Sequence, residues 1–181
     1  MHSLMKNNTW ELVSKPEKQR VVDCKWIFKI KEGNSRGDKV RYKARLVAKG
    51  FTQREGIDYA EIFSPVVKYK TIRMVLAMVV QFDWEIEQMD VKTAFLHGEL
   101  DETIYMKQPN GYEEGRQGDL VCNLKKSLYG LKQSPRQWNK RFDSFVISLG
   151  FMRSYYDVCS YYKGHNMEEM VIILIYVDDM C

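Results

Sequence analysis

Met170-Val-Ile-Ile-Leu-Ile-Tyr176-Val177-Asp178-Asp179 is the stretch that decides the fold, an apolar run that stops at two adjacent carboxylates. A run of that length, rich in β-branched residues, predicts a strand that is buried on both faces. The two Asp residues after it predict a tight turn at the edge of a sheet. Because Asp is a common turn residue, the pair taken alone indicates no more than a hairpin bend.

A third carboxylate widens that interpretation. Asp90 ends a second segment predicted to be a strand, residues 84–90, where it could also simply cap a turn. Three acidic groups on two strand ends can bind hard divalent cations such as Mg²⁺, which prefers oxygen ligands in octahedral geometry. Two such ions about 4 Å apart can activate a 3′-hydroxyl and neutralise a leaving pyrophosphate in an in-line displacement.

The composition is that of a soluble globular protein. The chain has 181 residues, of which 45% are hydrophobic and 29% charged, enough for one domain or two small ones. Its longest apolar run is too short to span a bilayer, and no secretory signal is visible. The four cysteines are widely spaced, which predicts reduced intracellular thiols rather than a zinc site or disulfides. We expect an intracellular, cytoplasmic protein with no membrane partner.

Charge is distributed unevenly along the chain. Residues 1–56 carry 14 Lys/Arg and 6 Asp/Glu, whereas residues 57–181 carry 14 and 18. This asymmetry suggests that the basic first part of the chain binds a polyanion and that the acidic remainder binds cations. A solvated basic surface accounts for the same charge.

Two alternating segments account for much of the basic charge. Cys24–Lys31 and residues 40–47 alternate apolar and polar side chains around a turn-rich connection at 32–38, which predicts a β-hairpin. On the second strand, period-2 alternation places Arg41, Lys43 and Arg45 on one face. That row is too basic to be buried, so it meets either phosphates or water.

The remaining pattern predicts an α+β domain with an antiparallel sheet. Residues 1–20 are polar and are predicted to be peripheral. One helix is predicted over residues 71–81 with Thr71 as its N-cap, and another from Ser134-Pro135 to about Leu149. A turn or short helix is predicted at 92–98. Further strands are predicted at 103–107, 120–124, 159–163 and 170–177, the last two as an antiparallel pair.

Several longer motifs follow one another in a recognisable order. They are Trp10-Glu-Leu-Val13, Trp26-Ile-Phe-Lys-Ile-Lys31, Tyr42-Lys-Ala-Arg-Leu-Val-Ala-Lys-Gly-Phe-Thr-Gln53, Phe63-Ser-Pro-Val-Val67, Gln88-Met-Asp-Val-Lys-Thr-Ala-Phe-Leu-His-Gly98, Ser127-Leu-Tyr-Gly-Leu-Lys-Gln-Ser-Pro-Arg136 and Tyr176-Val-Asp-Asp179. In these motifs the sequence closely resembles the reverse transcriptase of copia-type long-terminal-repeat retrotransposons, a segment of their Pol polyprotein. The resemblance covers nearly the whole chain from about Asn8.

The resemblance implies a right-hand polymerase. Residues from about 21 to 80 would be mostly fingers, and those from about 81 to 181 mostly palm, with an antiparallel palm sheet and flanking helices. It implies that Asp90, Asp178 and Asp179 are catalytic and that, with the backbone carbonyl of Val91, they bind two Mg²⁺ ions, for which Mn²⁺ could substitute.

The resemblance also implies a nucleotide site. It suggests Lys31, Lys43 and Arg45 as partners of the triphosphate. Phe95 would lie under the sugar and exclude a 2′-hydroxyl, although an ordinary core aromatic is the alternative.

Further positions follow from the same motifs. Gly130 would lie beside the nascent base pair, where the backbone must approach closely. Tyr129 and Lys132 would line the same pocket, and Arg41 and Tyr176 would contact nucleic acid.

The implied function is RNA-directed DNA polymerisation from dNTPs on an RNA or DNA template-primer, in a virus-like particle for an active element. Other parts of a Pol polyprotein, such as a thumb, ribonuclease H and integrase, are expected partners. Because the sequence stops at Cys181, we expect no thumb and an incomplete return strand after the catalytic turn, hence weak or absent processive synthesis. The alternatives are a truncated, non-catalytic remnant that binds nucleic acid and an unstable fragment without a role.

Overall fold

The computed structural model describes residues 1–17, 19–31, 40–115, 118–167 and 169–181. The α-helices in these ranges are α1 (His2–Lys6), α2 (Tyr69–Phe82) and α3 (Ser134–Ser148). The strands are β1 (Trp10–Ser14), β2 (Val21–Val22), β3 (Cys24–Lys31), β4 (Arg41–Ala48), β5 (Met89–Asp90), β6 (Glu99–Met106), β7 (Leu120–Lys126), β8 (Met152–Arg153), β9 (Ser160–Lys163), β10 (Val171–Tyr176) and β11 (Asp179–Met180). Short 3₁₀-helices span Gly50–Thr52 and Ala94–His97.

The described strands form three sheets. One has the order β1-β7-β6-β2, the second has the order β5-β11-β10-β9-β8, and β3 pairs with β4 alone. All strand pairs are antiparallel except β2 with β6. The architecture is therefore mixed α and β with few helices, and the predicted pairing of 159–163 with 170–177 is confirmed with slightly shorter strands.

Two hydrophobic cores hold these sheets. The first joins the four-stranded sheet to the base of the β3–β4 hairpin and includes Leu46, Met106 and Leu128. The second lies between α3 and the five-stranded sheet, where Phe142 and Tyr161 meet edge to face. Burial of these apolar side chains is the main stabilising term for such a fold.

The β3–β4 hairpin predicted from the alternating pattern is confirmed. Its register runs from Cys24 opposite Ala48 to Lys31 opposite Arg41. The predicted connection at 32–38 lies outside the described residues. Leu46 and Ala48 are buried at the base of the hairpin, whereas Phe28 farther along the same face is 76% exposed. The hairpin thus leaves the core as it extends.

The helix predicted after Ser134-Pro135 is confirmed as α3, which ends just before Gly150 at φ +85°. For α2 the helix is confirmed, but Thr71 as its N-cap is wrong, because the N-cap position is Lys68. The Thr71 hydroxyl instead donates to the Asp157 carboxylate at 2.6 Å, which also accepts the Lys68 N–H at 2.8 Å. A side chain from a distant loop therefore takes the capping role.

Two segments differ from the sequence pattern. Of the strand predicted at 84–90, only Met89–Asp90 is formed, because its partner β11 offers two residues for pairing. The first 20 residues, expected to be peripheral, contribute α1 and the edge strand β1, and Leu4 is buried in the first core. Pairing of β1 with β7 and packing of Trp10 and Leu12 against the first core join this segment to the domain.

The return strand after the Asp178 turn is short but paired on both sides. β11 lies between β10 and β5, and Cys181 extends the ladder through two backbone hydrogen bonds with Leu174. The expected incomplete return strand is therefore sufficient to hold the turn. All four cysteines are free thiols in this structure. None of the described helices is both long and apolar enough to cross a membrane.

Candidate active site

The turn between β10 and β11 carries two of the predicted carboxylates. Tyr176 pairs with Asp179, so Val177 and Asp178 are the two turn residues. Val177 has φ +60°. A β-branched residue is rarely found in this left-handed region, and holding it there costs on the order of 1–3 kcal/mol. The tertiary structure must therefore hold this turn in place.

Trp138 on α3 supplies one such constraint. Its indole N–H donates to the Val177 carbonyl at 2.6 Å, and the side chain is only 6% exposed. The ring packs 5.7 Å from Phe142 in the second core. Trp138 is not among the site residues predicted from the sequence. Its spacing with Phe142 and Val146 on α3 marks an inward helical face, but no sequence signal reveals which carbonyl its N–H reaches.

Asp90 lies on the strand beside this turn. It is directly opposite Asp179 in the β5–β11 pair, so the two side chains project from the same face. The Val91 N–H donates to the Asp178 carbonyl at 3.0 Å and closes the strand onto the turn. The structure therefore brings the three predicted carboxylates to one edge of one sheet. The described contact of Val91 is made by its N–H, whereas its carbonyl was predicted to bind metal.

The charges at this edge repel one another. Like charges directly opposite across a strand pair are destabilising. In the part of the chain that the structure describes, no hydrogen bond or ion pair holds the side chains of Asp90, Asp178 or Asp179. Nor do the described residues include a group of three or more His, Cys, Asp or Glu arranged to hold a metal ion. The carboxylates share an edge without forming a three-ligand cluster.

Tyr129 connects the carboxylate edge to other predicted residues. Its ring centroid lies 4.7 Å from that of Phe95, and the Arg45 guanidinium lies over its ring at 5.9 Å. Burial raises the pKa of the Tyr129 phenol, and the negative charges of Asp178 and Asp90 raise it further, against the opposing effect of Arg45. Tyr129 thus contacts both Phe95 and Arg45, and its phenol is influenced by the charges of Asp178 and Asp90.

Phe95 is held from behind by a backbone hydrogen bond. The Ser127 hydroxyl donates to the Phe95 carbonyl, and Phe95 lies in the 3₁₀-helix Ala94–His97, where Ala94 and Leu96 are buried. The half-buried Phe95 ring is thus fixed between a core segment and Tyr129.

Gly130 brings the hairpin and the site together. It has φ +92°, and a Cβ there would overlap the Ala48 carbonyl oxygen. The neighbouring Tyr129 carbonyl accepts the Ala48 N–H at 2.7 Å. Only glycine fits this close backbone approach. The close approach that the resemblance assigned to a base pair is, in this structure, made to β4 itself.

The other predicted nucleotide contacts are more dispersed. Lys132 donates to the Gln53 carbonyl and to the Tyr59 hydroxyl, each at 3.2 Å, so its described contacts hold the 53–59 loop. Lys31 is opposite Arg41, and Lys43 follows on the same face of β4, farther along the hairpin than Arg45.

Tyr176 is the last residue of β10, immediately before the turn. It is 51% exposed and lines a 450 Å³ pocket with Ile72 and Met180. On the hairpin, Arg45 contacts the ring of Tyr129, whose phenol is influenced by the charges of Asp178 and Asp90.

Comparison with protein families agrees with this geometry. A family model described as reverse transcriptase (RNA-dependent DNA polymerase) matches residues 7–181. The chain belongs to this family. Reverse transcriptases generally use divalent metal ions, and the carboxylate oxygens gathered at the β10–β11 turn are ligands of the kind that such ions prefer.

Three relatives of this reverse transcriptase domain are transposon proteins. The retrovirus-related Pol polyprotein from transposon TNT 1-94 of Nicotiana tabacum is 54% identical over 182 residues, 99% of this chain and 14% of that protein. The Pol polyprotein from transposon RE2 of Arabidopsis thaliana is 46% identical over 175 residues, 96% of this chain and 12% of that protein. The putative transposon Ty5-1 protein of Saccharomyces cerevisiae is 39% identical over 92 residues, 51% of this chain and 30% of that protein.

The reverse transcriptase domain thus spans about an eighth of the Pol polyproteins that it matches. No solved structure matches the chain.

Proposed function

We propose that this chain is the nucleotidyl-transfer domain of a copia-type RNA-directed DNA polymerase, with residues of about 21–80 as mostly fingers and 81–181 as mostly palm. Its substrates are a template-primer and dNTPs. The observation that carries the proposal is the pairing of Asp90 with Asp179 beside the Asp178 turn, next to Phe95 and Tyr129. Two chain segments 88 residues apart contribute to one acidic edge.

The acidic edge fits divalent cations by donor chemistry. Asp90, Asp178 and Asp179 would hold two Mg²⁺ ions, or Mn²⁺ in their place, since hard cations favour carboxylate oxygens. The chemistry that such ions supply when bound is activation of a primer 3′-hydroxyl and charge neutralisation at the departing pyrophosphate. Binding a cation also relieves the repulsion between Asp90 and Asp179.

The protein's own groups then position the nucleotide. Arg45 offers a guanidinium beside the carboxylates, which suits a triphosphate because bidentate, charge-assisted hydrogen bonds favour that pairing. Phe95 offers a fixed ring face for the deoxyribose. Holding the reacting groups in place in this way is a large part of catalysis in phosphoryl and nucleotidyl transfer.

The test is incorporation of a single dNTP into a labelled primer on an RNA template. Two samples are compared: the chain itself, and a polyprotein of the TNT 1-94 type whose matching segment is replaced by this chain. Metal-dependent incorporation that Asp178→Asn abolishes supports the proposal, and Asp83→Asn serves as the control with a distant exposed carboxylate. Absence of incorporation in both samples contradicts it.

A non-catalytic remnant that binds nucleic acid is the second candidate. It is favoured by the lack of a three-ligand metal cluster among the described residues, together with the row of Arg41, Lys43 and Arg45 on the hairpin. Phosphate contacts make such binding strongly salt-dependent. Salt-dependent binding of template without metal-dependent incorporation in either sample identifies this candidate.

A further inference from the structure

A second cleft lies on the opposite side of the hairpin from the basic row. It has a volume of about 1020 Å³ and lies between β3 and the segment that follows β6. None of the predicted site residues is among the described residues that line it. Pockets of several hundred to about 1,000 Å³ are typical of ligand sites, so this cleft is large enough for more than a single small group.

One wall of the cleft is aromatic. Trp26 and Phe28 alternate on β3, and their rings stack with centroids 6.5 Å apart and an interplanar angle of 25°. Trp26 is fixed, because its N–H donates to the Asn110 carbonyl at 3.1 Å and its ring lies 5.8 Å from that of Tyr112. Phe28, at 76% exposure, presents a ring to solvent beside this fixed group.

The charged residues among the described lining are mostly cationic. The lysines in the lining are Lys15, Lys25, Lys49 and Lys107. The carboxylates in it, Asp23 and Glu113, are already engaged by protein groups. The Asp23 carboxylate accepts hydrogen bonds from the Lys49 ammonium at 2.6 Å and from the Cys24 N–H at 2.9 Å. The Glu113 carboxylate accepts one from the Gly111 N–H at 2.8 Å.

The balance of charge in the cleft is therefore positive. The bond from Lys49 is the main reason why the pKa of Asp23 is lowered, so this carboxylate stays charged and neutralises part of the lysine charge. Among the described residues, Lys15 and Lys25 form no ion pair. Lys25 is opposite Val47 in the hairpin and therefore shares a face with Arg45, so Lys15 is the lysine of the cleft that can reach an anionic ligand.

We propose that this cleft binds an unpaired nucleic-acid strand. Exposed rings that stack bases beside cations that follow the phosphates are the two features of single-strand binding sites. An apolar or acidic protein segment would use only one of them, and a duplex keeps its base faces stacked internally. The site is separate from the acidic edge, so binding in the cleft does not depend on polymerase activity.

The test is the affinity of the chain for a fluorescent eight-nucleotide single strand, measured by anisotropy in the background Arg41→Ala/Lys43→Ala. Phe28→Ala is expected to weaken binding about 5- to 150-fold, since stacking on one aromatic side chain carries roughly 1–3 kcal/mol per base. Phe28→Trp restores it. Phe51→Ala, which removes an equally exposed ring outside the cleft, is the matched control and leaves affinity unchanged.

Further measurements separate this proposal from its alternatives. Lys15→Ala reduces the dependence of log affinity on log salt by about 0.7, the value for one phosphate of a single strand. Asp178→Asn leaves binding unchanged, so failure of catalysis and failure of the cleft are distinguishable. Equal affinity of the parent and the Phe28→Ala variant, or equally tight binding of an eight-base-pair duplex in competition, overturns the proposal.

Discussion

Val177 occupies the tip of the acidic turn in a conformation that a β-branched residue seldom adopts. The chain tolerates it because β10 and β11 pair on either side and Trp138 bonds the carbonyl between them. The backbone position of Asp178 is thus determined by groups from three segments. This residue-level constraint is the reason why the carboxylates can be presented on such a short strand.

Trp138→Phe tests that constraint. The change keeps a ring in the core but leaves the Val177 carbonyl without its donor, so we expect a loss of about 1–2 kcal/mol in the free energy of unfolding. Urea denaturation measures it. Trp84→Phe, whose ring lies 5.5 Å from Phe82 on the outer side of α2, should cost less and is the control. Equal losses in the two variants would assign the effect to ring volume alone.

Gly130 is a second residue whose role is steric. Gly130→Ala places a methyl group against the Ala48 carbonyl at a φ of +92°, and we expect a loss of about 2–5 kcal/mol in unfolding free energy. Gly111→Ala is matched to it, because Gly111 also has a positive φ but has open space around its Cβ position. That control should cost only about 1–2 kcal/mol. A similar cost for both alanines would show that the approach to Ala48 is not tight.

Phe95 is the residue predicted to select deoxynucleotides over ribonucleotides. Its ring is fixed between Tyr129 and the 3₁₀-helix, so truncation should open space where a 2′-hydroxyl would lie. In the chimeric polyprotein, Phe95→Ala should increase ribonucleotide incorporation relative to deoxynucleotide incorporation about tenfold or more, a typical effect of one side chain in a pocket. Phe95→Tyr retains the ring and should retain the preference. Unchanged selectivity in the alanine variant would make Phe95 an ordinary packing residue.

At the scale of elements, α2 depends on a carboxylate that lies far from it in sequence. Asp157 is 3% exposed and accepts hydrogen bonds from the Lys68 N–H, the Thr71 hydroxyl and the Cys159 N–H. Burial tends to raise the pKa of Asp157, but these hydrogen bonds outweigh it and the pKa is lowered. The charged carboxylate therefore fastens the start of α2 to the loop before β9.

Asp157→Asn should reduce unfolding free energy by about 1–3 kcal/mol at pH 7. Because the folded pKa lies below the unfolded value of about 4, the contribution of Asp157 is present above pH 4 and is lost as the pH falls through the lower folded value. The difference between parent and variant should therefore shrink below pH 4. Urea titrations at several pH values measure this, with Asp119→Asn as the exposed control. A difference independent of pH would argue against a charged carboxylate.

At the scale of the whole molecule, the metal binding proposed for the acidic edge would be coupled to folding. Asp90 comes from one chain segment and Asp178 and Asp179 from another, so a cation bound to all three favours the folded state. At a metal concentration one hundred times the dissociation constant, the gain is about 2.7 kcal/mol. We expect Mg²⁺ or Mn²⁺ to raise the melting temperature by about 5–10 °C.

The double variant Asp178→Asn/Asp179→Asn tests whether the metal-dependent rise in melting temperature comes from the acidic edge. The double variant should lose most of the metal-dependent stabilisation, whereas Asp83→Asn, at the end of α2, should retain it. Calorimetry with and without metal makes the measurement. Equal stabilisation in all three proteins would indicate weak binding to the general acidic surface.

Local patterns predicted much of this fold. Period-2 alternation located β3 and β4, and Ser134-Pro135 with Gly150 located α3, because these signals act within a few residues. The extent of β5 was not predictable in the same way, since a strand is only as long as its partner allows. The prediction of Thr71 as the N-cap was wrong for a similar reason. The Thr71 hydroxyl donates its hydrogen bond to Asp157, which lies 86 residues away in the chain.

For the candidate site, the sequence by itself determined that an apolar strand precedes Asp178 and Asp179, and it predicted that Asp90 belongs with them. Only the tertiary structure decided that Asp90 lies opposite Asp179, that Trp138 holds the Val177 carbonyl, and that Tyr129 joins Phe95 and Arg45 to the acidic edge. It also decided that the aromatic face of the hairpin lines a separate basic cleft. The physical reason is range: propensities and periodicity act between neighbours in the chain, whereas register, hydrogen-bond partners and clefts arise between segments that meet only on folding.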